Sequence, residues 1–380
     1  MTTPRYSPLP EDAAGRKAAP AETAACQCVV IGRNESPRLR ECLESVLPGC
    51  QRVVYVDSGS TDGSVGIARS FGIPVIELDP SLPFSAARAR NEGFAYLSRD
   101  AGAVIDHVQF VDGDCTLERG WLTAAVHALD CDRTLAAVTG RTREKSARSS
   151  VYNLLCEIEL AVPAGTIEAC GGVVMMRAIA LQAAGGFDPM LAAGEEPELC
   201  LRLRRLGWRL ECLPVPMMRH DVDMHSFRQW WARSRRSGRA YFESWWKHRA
   251  GPEAFRAREV ARILAWGALA PALTVAAVFA FGAYGLSCTI AGVWPGARAY
   301  RWARQRGRDR RDSAVYAVAC VVGKIPECVG VLASWSRCWR RRRRRLVALP
   351  SPAAASKAAI GSGDGRTSGP EGGPDGDRAA

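Results

Sequence analysis

The sequence predicts an α/β protein built around a mainly parallel sheet. Short, wholly apolar runs of strand length alternate with segments of helical periodicity from Cys26 onward. The runs lack the in-out alternation of a half-solvated sheet and resemble strands buried on both faces, as parallel sheets require. Polar residues cluster immediately after several of the runs, at the carboxyl ends where such sheets bind ligands.

The first run, CVVI from Cys28 to Ile31, is followed by a helical segment that Ser36 is placed to cap, with Pro37 in its first turn. Leu39, Cys42, Leu43, Val46 and Leu47 recur at helical spacing until Pro48-Gly49. Val53 to Val56 forms a second strand leading into DSGSTDGS, Val65 to Phe71 a short helix ended by Gly72, and Pro74 to Leu78 a third strand. Ser85 to Leu97 reads as helix and Val108 to Val111 as a strand ending at Asp112. The polar residues after strands are thus Arg33-Asn34-Glu35, Asp57 to Asp62 and Asp112-Gly113-Asp114.

Composition narrows the class of molecule. The chain has 380 residues, 47% hydrophobic and 24% charged, which excludes a disulfide miniprotein, a collagen and a wholly disordered chain. A net charge of +12 suggests an acidic partner such as nucleic acid, anionic lipid or a sugar nucleotide. The 14 cysteines show neither zinc spacing nor a disulfide framework and read as reduced, mostly buried side chains. Residues 1–25 hold no apolar run long enough for a signal peptide, so the region after them is expected in the cytoplasm. They and residues 346–380 are expected to be unstructured tails, rich in Pro, Gly, Ala and Ser.

Asp112 and Asp114 flank a glycine at a strand end, so a tight loop can present hard oxygen ligands to Mg²⁺ or Mn²⁺. An Asp-Gly turn without metal fits the same three residues. Asp57 can accept hydrogen bonds from a base edge, or belong to a polar turn in which Asp62 caps the next helix. Arg88 lies at a helix start where it can approach a diphosphate or remain a solvated side chain.

CVVIGRNES, VDSGSTDGS, SAARARNEG and QFVDGDCTLERGW, followed by GGFDP and GEEPELCLRLRRLGW, resemble the successive signatures of family 2 inverting glycosyltransferases of the GT-A fold. The resemblance covers about residues 26–249 and is closest to transferases of bacterial exopolysaccharide assembly. It implies that Asp57 holds the base, and that Arg33, Asn34, Glu35, Arg88, Asn91, Asp112 and Gly113 line the donor nucleotide site. Asp114, and His220 in MMRHDVDMH with His225 as second choice, would hold the cation. The family usually has Glu-Asp where this chain has Glu195-Glu196, so Glu196 matches the base position, with Glu195 the other candidate. Favourable charge at the first turn of a helix opened by Pro197, with Leu199, Leu201, Leu203 and Leu206 inward, accounts for both glutamates equally well. Gly171 and Gly172 would let a sugar approach backbone, or simply bend the chain.

Gln229-Trp230-Trp231-Ala232-Arg233 resembles the QxxRW element of processive synthases but lacks its Arg and Trp, leaving a basic aromatic helix in which Arg235 and Arg236 are placed to clamp diphosphate. A solvated basic face is the alternative.

Ile263 to Ala297 carries no charged residue, enough for two short membrane helices joined tightly, or one long tilted helix. Arginines on both sides favour cytoplasmic ends. Ser313 to Trp335, interrupted by Lys324, Pro326 and Glu327, reads as interfacial or re-entrant, and Arg337 and Arg340 to Arg345 as a grip on anionic lipid within a membrane region 250–345. No nucleic-acid-binding fold surrounds these arginines.

The expectation is a metal-dependent transferase at the inner membrane with its catalytic domain in the cytoplasm. It would move sugar from a UDP- or GDP-sugar to a lipid-linked or other glycan acceptor. A nucleotidyltransferase would need a Gly-rich basic loop after the first strand, which GRNESPRL is not. A non-catalytic scaffold of a polysaccharide assembly complex would tolerate loss of the paired aspartates.

Overall fold

A computed structural model describes residues 24–99 and 105–347. Almost all of the expected 1–25 tail and the segment after residue 347 lie outside the described residues, as do the side chains of Arg340 to Arg345. One compact unit extends to Ala333, and the remainder begins at Ser334.

Strand β1 (Ala24–Gly32) is followed by α1 (Ser36–Val46), β2 (Cys50–Asp57), α2 (Ser64–Ser70), β3 (Val75–Glu77), α3 (Ala86–Ser98) and β4 (His107–Asp112). Then come β5 (Cys115–Leu117), α4 (Trp121–Cys131), β6 (Leu135–Glu144), α5 (Val151–Leu160), β7 (Gly165–Thr166), β8 (Val174–Arg177), α6 (Ala178–Ala183), α7 (Glu195–Arg205) and β9 (Arg209–His220). They form one mixed sheet in the order β3-β2-β1-β4-β8-β6-β9-β5, with β7 beside β9. β1 pairs in parallel with β2 and β4, whereas β8 runs antiparallel to its neighbours β4 and β6. The predicted parallel half is therefore present, and an antiparallel insertion completes it.

Alternate residues of β1 feed two cores. Cys28 and Val30 pack with Leu39, Leu43, Tyr55 and Trp121 on one face. Val29 and Ile31 pack with Val54, Phe110, Phe187 and Leu203 on the other. Burial of β1 on both faces explains its unbroken apolar composition. The cysteine thiols are free, and most are buried.

Two local expectations change. Ser36 is the first residue of α1 rather than its cap, and its backbone N–H donates to Asp62 Oδ2 at 2.9 Å. Asp62 also accepts from Ser64 N, so one carboxylate serves the starts of both α1 and α2. Leu206 lies just past α7 and is exposed, because the chain turns away from the core there.

After β9, α8 (Phe227–His248) opens with a capping box in which Ser226 and Gln229 satisfy each other's backbone N–H groups. The glutamine of the incomplete QxxRW element is thus a helix cap. Helix α9 (Ala257–Leu264) continues through a π-helical turn into α10 (Ala270–Phe281). The helix breaks at Gly282, whose φ of 59° suits glycine, and a 3₁₀ segment, Gly282–Gly292, folds back on α10. A Cβ at Gly285 would collide with the backbone of Ala277 and Val278, which shows how closely the two arms pack. The break at Gly282 thus sets α10 and the 3₁₀ segment side by side as two closely packed arms.

Helices α11 (Val293–Gln305), α12 (Arg310–Val322) and α13 (Lys324–Val347) follow. Ala257–Gln305 and Arg310–Trp339 are long and apolar enough to cross a membrane by length and composition. Leu269, Leu273, Phe279 and Phe281 of the first are exposed. Lys324 and Glu327 pair at 2.6 Å where α13 packs on α8, Gly238 lying against the Glu327 backbone.

Candidate active site

Four loop regions meet at the carboxyl ends of β1, β2 and β4. Asp57, at the tip of β2, accepts from the Gly59 and Ser60 backbone at 2.9 and 2.8 Å and from Tyr55 and Ser60 hydroxyls at 3.0 and 2.5 Å. Its buried carboxylate therefore shapes the DSGS loop from within. Asn34, in the left-handed region at φ 59°, ties the preceding loop to it through Ser60 and Thr61. Arg33 lies over the Phe84 ring at 5.3 Å, and that ring packs on Gly59. Glu35 pairs with Arg38 at 2.5 Å and lies against Gly113, where a Cβ would come within 3.2 Å of it. Burial, then the Asp114 carboxylate, pushes Glu35 up to about 7 despite Arg38.

The strand pairing brings the candidate cation ligands together. In the β5–β9 ladder Cys115 faces His220, and Asp221 N donates to Asp114 O at 3.0 Å. His220 Nε2 lies 3.5 Å from Asp114 Oδ2, and its Nδ1 lies 2.9 Å from Glu144 Oε2. Burial would lower the histidine, but hydrogen bonds to both carboxylates outweigh it and raise it to about 10. Burial likewise opposes ionisation of Asp114, and His220 nevertheless holds that carboxyl below its ordinary range. Single atoms of Asp114, Cys115 and His220 lie within 4.8 Å of one another. Burial pushes the Cys115 thiol well up, and its Sγ donates to Asp114 at 3.3 Å, so the usable donors are one carboxylate and one imidazole. That pair fits a Mg²⁺ or Mn²⁺ whose other ligands are phosphate oxygens and water. Metal binding would displace the proton from His220.

Arg90 is the hub on the other side. It is 2% exposed, and its guanidinium reaches Asp112 at 2.9 Å, Glu195 at 2.8 Å and Glu196 at 3.1 Å. Gly172 permits this, because a Cβ there would collide with Arg90 Nη2 and Asp112 Oδ2. Glu195 is enclosed, whereas Glu196 lines a cleft of about 410 Å³ together with Gly171, Arg233 and Arg236. Burial pushes Glu196 up to about 7, against the pull of Arg90. Glu198, two residues further along α7, pairs with Arg202, Lys247 and His248 and joins α7 to α8.

Several expected residues serve elsewhere. Arg88 donates to the Asp79 and Leu82 carbonyls and pins that loop rather than facing Asp112. Asn91 clamps the GGFDP loop, donating to Phe187 O at 2.7 Å and accepting from Phe187 N at 2.9 Å, with its side chain engaged there rather than at a nucleotide. Arg235 does not line the cleft; its carbonyl lies against Gly330 of α13. His225 is exposed and pairs with Asp223. Arg90, Glu144 and Phe84 were not among the expected residues. The only signal for Arg90 was its place in the SAARARNEG run.

A family model described as glycosyl transferase family 2 matches residues 28–166. The pre-mycofactocin glycosyltransferase of Mycobacterium tuberculosis is 32% identical over 223 residues, 54% of this chain and 44% of that protein. This chain thus spans less than half the length of that relative. The succinoglycan biosynthesis protein ExoA of Rhizobium meliloti is 26% identical over 274 residues, 69% of this chain and 82% of that protein. Among solved structures, the mannosyltransferase PcManGT from Pyrobaculum calidifontis, in complex with GDP-Man and Mn²⁺, aligns with a TM-score of 0.52 and 21% identity, covering 80% of this chain and 88% of that one. This last likeness concerns the fold. The matched residues, the sheet order and the loops gathered at its carboxyl edge identify residues 28–166 as family 2 glycosyltransferase sequence, set in a GT-A fold.

Proposed function

We propose that residues 26–249 transfer a sugar, with inversion, from a nucleotide-sugar donor to a lipid-linked acceptor at the cytoplasmic face of the inner membrane, in polysaccharide or glycan synthesis. The observation that carries this reading is Glu196, a carboxylate raised to about 7 that faces the cleft while its neighbour Glu195 is spent on Arg90. A base near neutrality is matched to taking a proton from a sugar hydroxyl. The attacking oxygen bonds to the anomeric carbon as that carbon's bond to the diphosphate oxygen breaks, and Glu196 receives the proton.

Donor recognition is assigned to the DSGS loop, with Asp57 fixing its shape, Asn34 joining it to the first loop and Arg33 over Phe84 flanking it. Arg90 fixes Asp112 beside the donor and holds α7 so that Glu196 faces the acceptor side. A divalent cation bound by Asp114 and His220 would supply charge neutralisation to the departing nucleoside diphosphate. Glu144 orients His220 for that task through its 2.9 Å contact. The exposed apolar face of α10 and the two candidate spans support attachment to the membrane.

The test supplies membranes containing the full chain with radiolabelled UDP- and GDP-sugars. Label should enter the lipid extract from one donor, and Glu196→Gln should abolish it. Undiminished labelling in Glu196→Gln would contradict the assignment of the base.

A further inference from the structure

The cleft at Glu196 has an electrostatic asymmetry that sugar transfer alone does not explain. Its wall on the α8 side carries Arg233, Arg236 and, from the turn before α9, Arg256. Arg236 has no carboxylate partner among the described residues. Arg233 reaches Glu159 only at 3.5 Å, and Arg256 reaches Glu259 at 3.4 Å. The one carboxylate lining the cleft is Glu196, whose burial favours its neutral form. Burial and the neighbouring Arg233 and Arg239 pull Arg236 below the ordinary arginine value, so cations are crowded here at a cost that a bound anion would relieve.

The adjoining cavity supplies an internal contrast. About 380 Å³ in volume, it lies between α5, α8, α12 and the start of α13, and shares Arg233, Ser237 and Tyr241 with the cleft. Its carboxylates face cations, Glu327 at Lys324 and Glu159 at the shared Arg233. Arg236, which has no carboxylate partner among the described residues, lines the cleft facing Glu196 and not this cavity. Guanidinium groups match phosphate oxygens in planar, forked geometry. Donor phosphates are assigned to the Asp112–Asp114 edge, and none of Asp57, Asp112 or Asp114 lines this cleft.

Building on the transferase reading, we infer that Arg233, Arg236 and Arg256 bind a phosphate or diphosphate carried by the acceptor. The acceptor class is then a glycosylated lipid phosphate or diphosphate, held by its charged group while a hydroxyl of its sugar reaches Glu196. A reaction that places a phosphate or sugar phosphate on the lipid must precede this one.

Calorimetry on the detergent-purified full chain tests this with farnesyl diphosphate, farnesol and inorganic pyrophosphate as probes, alongside UDP and GDP. Farnesyl diphosphate should bind at least tenfold more tightly than farnesol. Arg236→Ala should remove that advantage and Arg236→Lys should restore part of it, while nucleotide affinity stays within twofold. Pyrophosphate binding that weakens in step with farnesyl diphosphate in Arg236→Ala would identify the phosphate as the recognised group. Equal binding of farnesol and farnesyl diphosphate would overturn the inference, as would pyrophosphate binding that Arg236→Ala leaves unchanged. A parallel loss of nucleotide binding in Arg236→Ala would also overturn it, by assigning the arginine to the donor. Nucleotide binding retained in any of the first outcomes leaves the transferase reading standing, so the two fail separately.

Discussion

Nη1 of Arg90 lies 3.1 Å from Oε1 of Glu196 and 2.8 Å from Oε1 of Glu195, so one buried cation fixes two adjacent carboxylates that then face different surroundings. Glu195 is enclosed, and Glu196 meets the cleft. The difference between them is one of helix phase, since consecutive residues are about 100° apart around the axis.

Replacing Glu196 by Gln should lower transfer about 10²–10⁴-fold while nucleotide affinity changes little. Glu196→Asp, the residue the family usually has, should keep transfer within about tenfold of the parent, because the proton acceptor is shortened by one methylene and not removed. Steady-state rates with labelled donor check both.

The same carboxyl sets a pH dependence. As a base Glu196 must be ionised, and burial has raised it to about 7 from an ordinary value of 4.5. Transfer should therefore be level above pH 7 and fall about tenfold per unit below it. A profile that stays level down to pH 5 would remove Glu196 from the role.

Arg90→Met should leave Asp112 and Glu195 without their cation and destabilise the fold by about 3–5 kcal/mol. Arg88→Ala should cost no more than about 1 kcal/mol, since it loses only contacts to two loop carbonyls. Thermal denaturation separates these, and equal losses would contradict the placement of the two arginines.

These two arginines show where the sequence stopped being readable. They lie two positions apart on α3, about 200° around the axis, so neighbours in sequence face opposite ways. Composition could not set that phase, because both sit in the same Ala-rich run. The positions of Asp112 and Asp114 were legible because a strand end is recognisable from its apolar run, whereas Glu196 was reached only through the resemblance carried by GEEPELCLRLRRLGW, an acidic first turn by itself fitting favourable charge at a helix start. Glu144 was not, since only the parallel pairing of β6 with β9 brings it to His220. The antiparallel placement of β8 between β4 and β6 was likewise a matter of long-range pairing, which so short a strand cannot specify.

Gly172→Ala should be destabilising by about 1–3 kcal/mol, because the added Cβ meets the Arg90–Asp112 pair. Gly171→Ala should be nearly neutral for stability, with no atom within 4 Å of the new Cβ. Comparison of melting temperatures decides this, and indifference to both changes would refute the packing described for Gly172.

In the proposed donor site a cation at Asp114 and His220 completes nucleotide binding. Calorimetric titration of UDP, GDP and CMP into the detergent-purified full chain, with and without Mn²⁺, measures it in the parent and in Asp114→Ala. One nucleoside diphosphate should bind tightly, require Mn²⁺ and lose its binding in Asp114→Ala. Folded protein that binds no nucleotide, or binds one equally well without Mn²⁺ and in the variant, would contradict it.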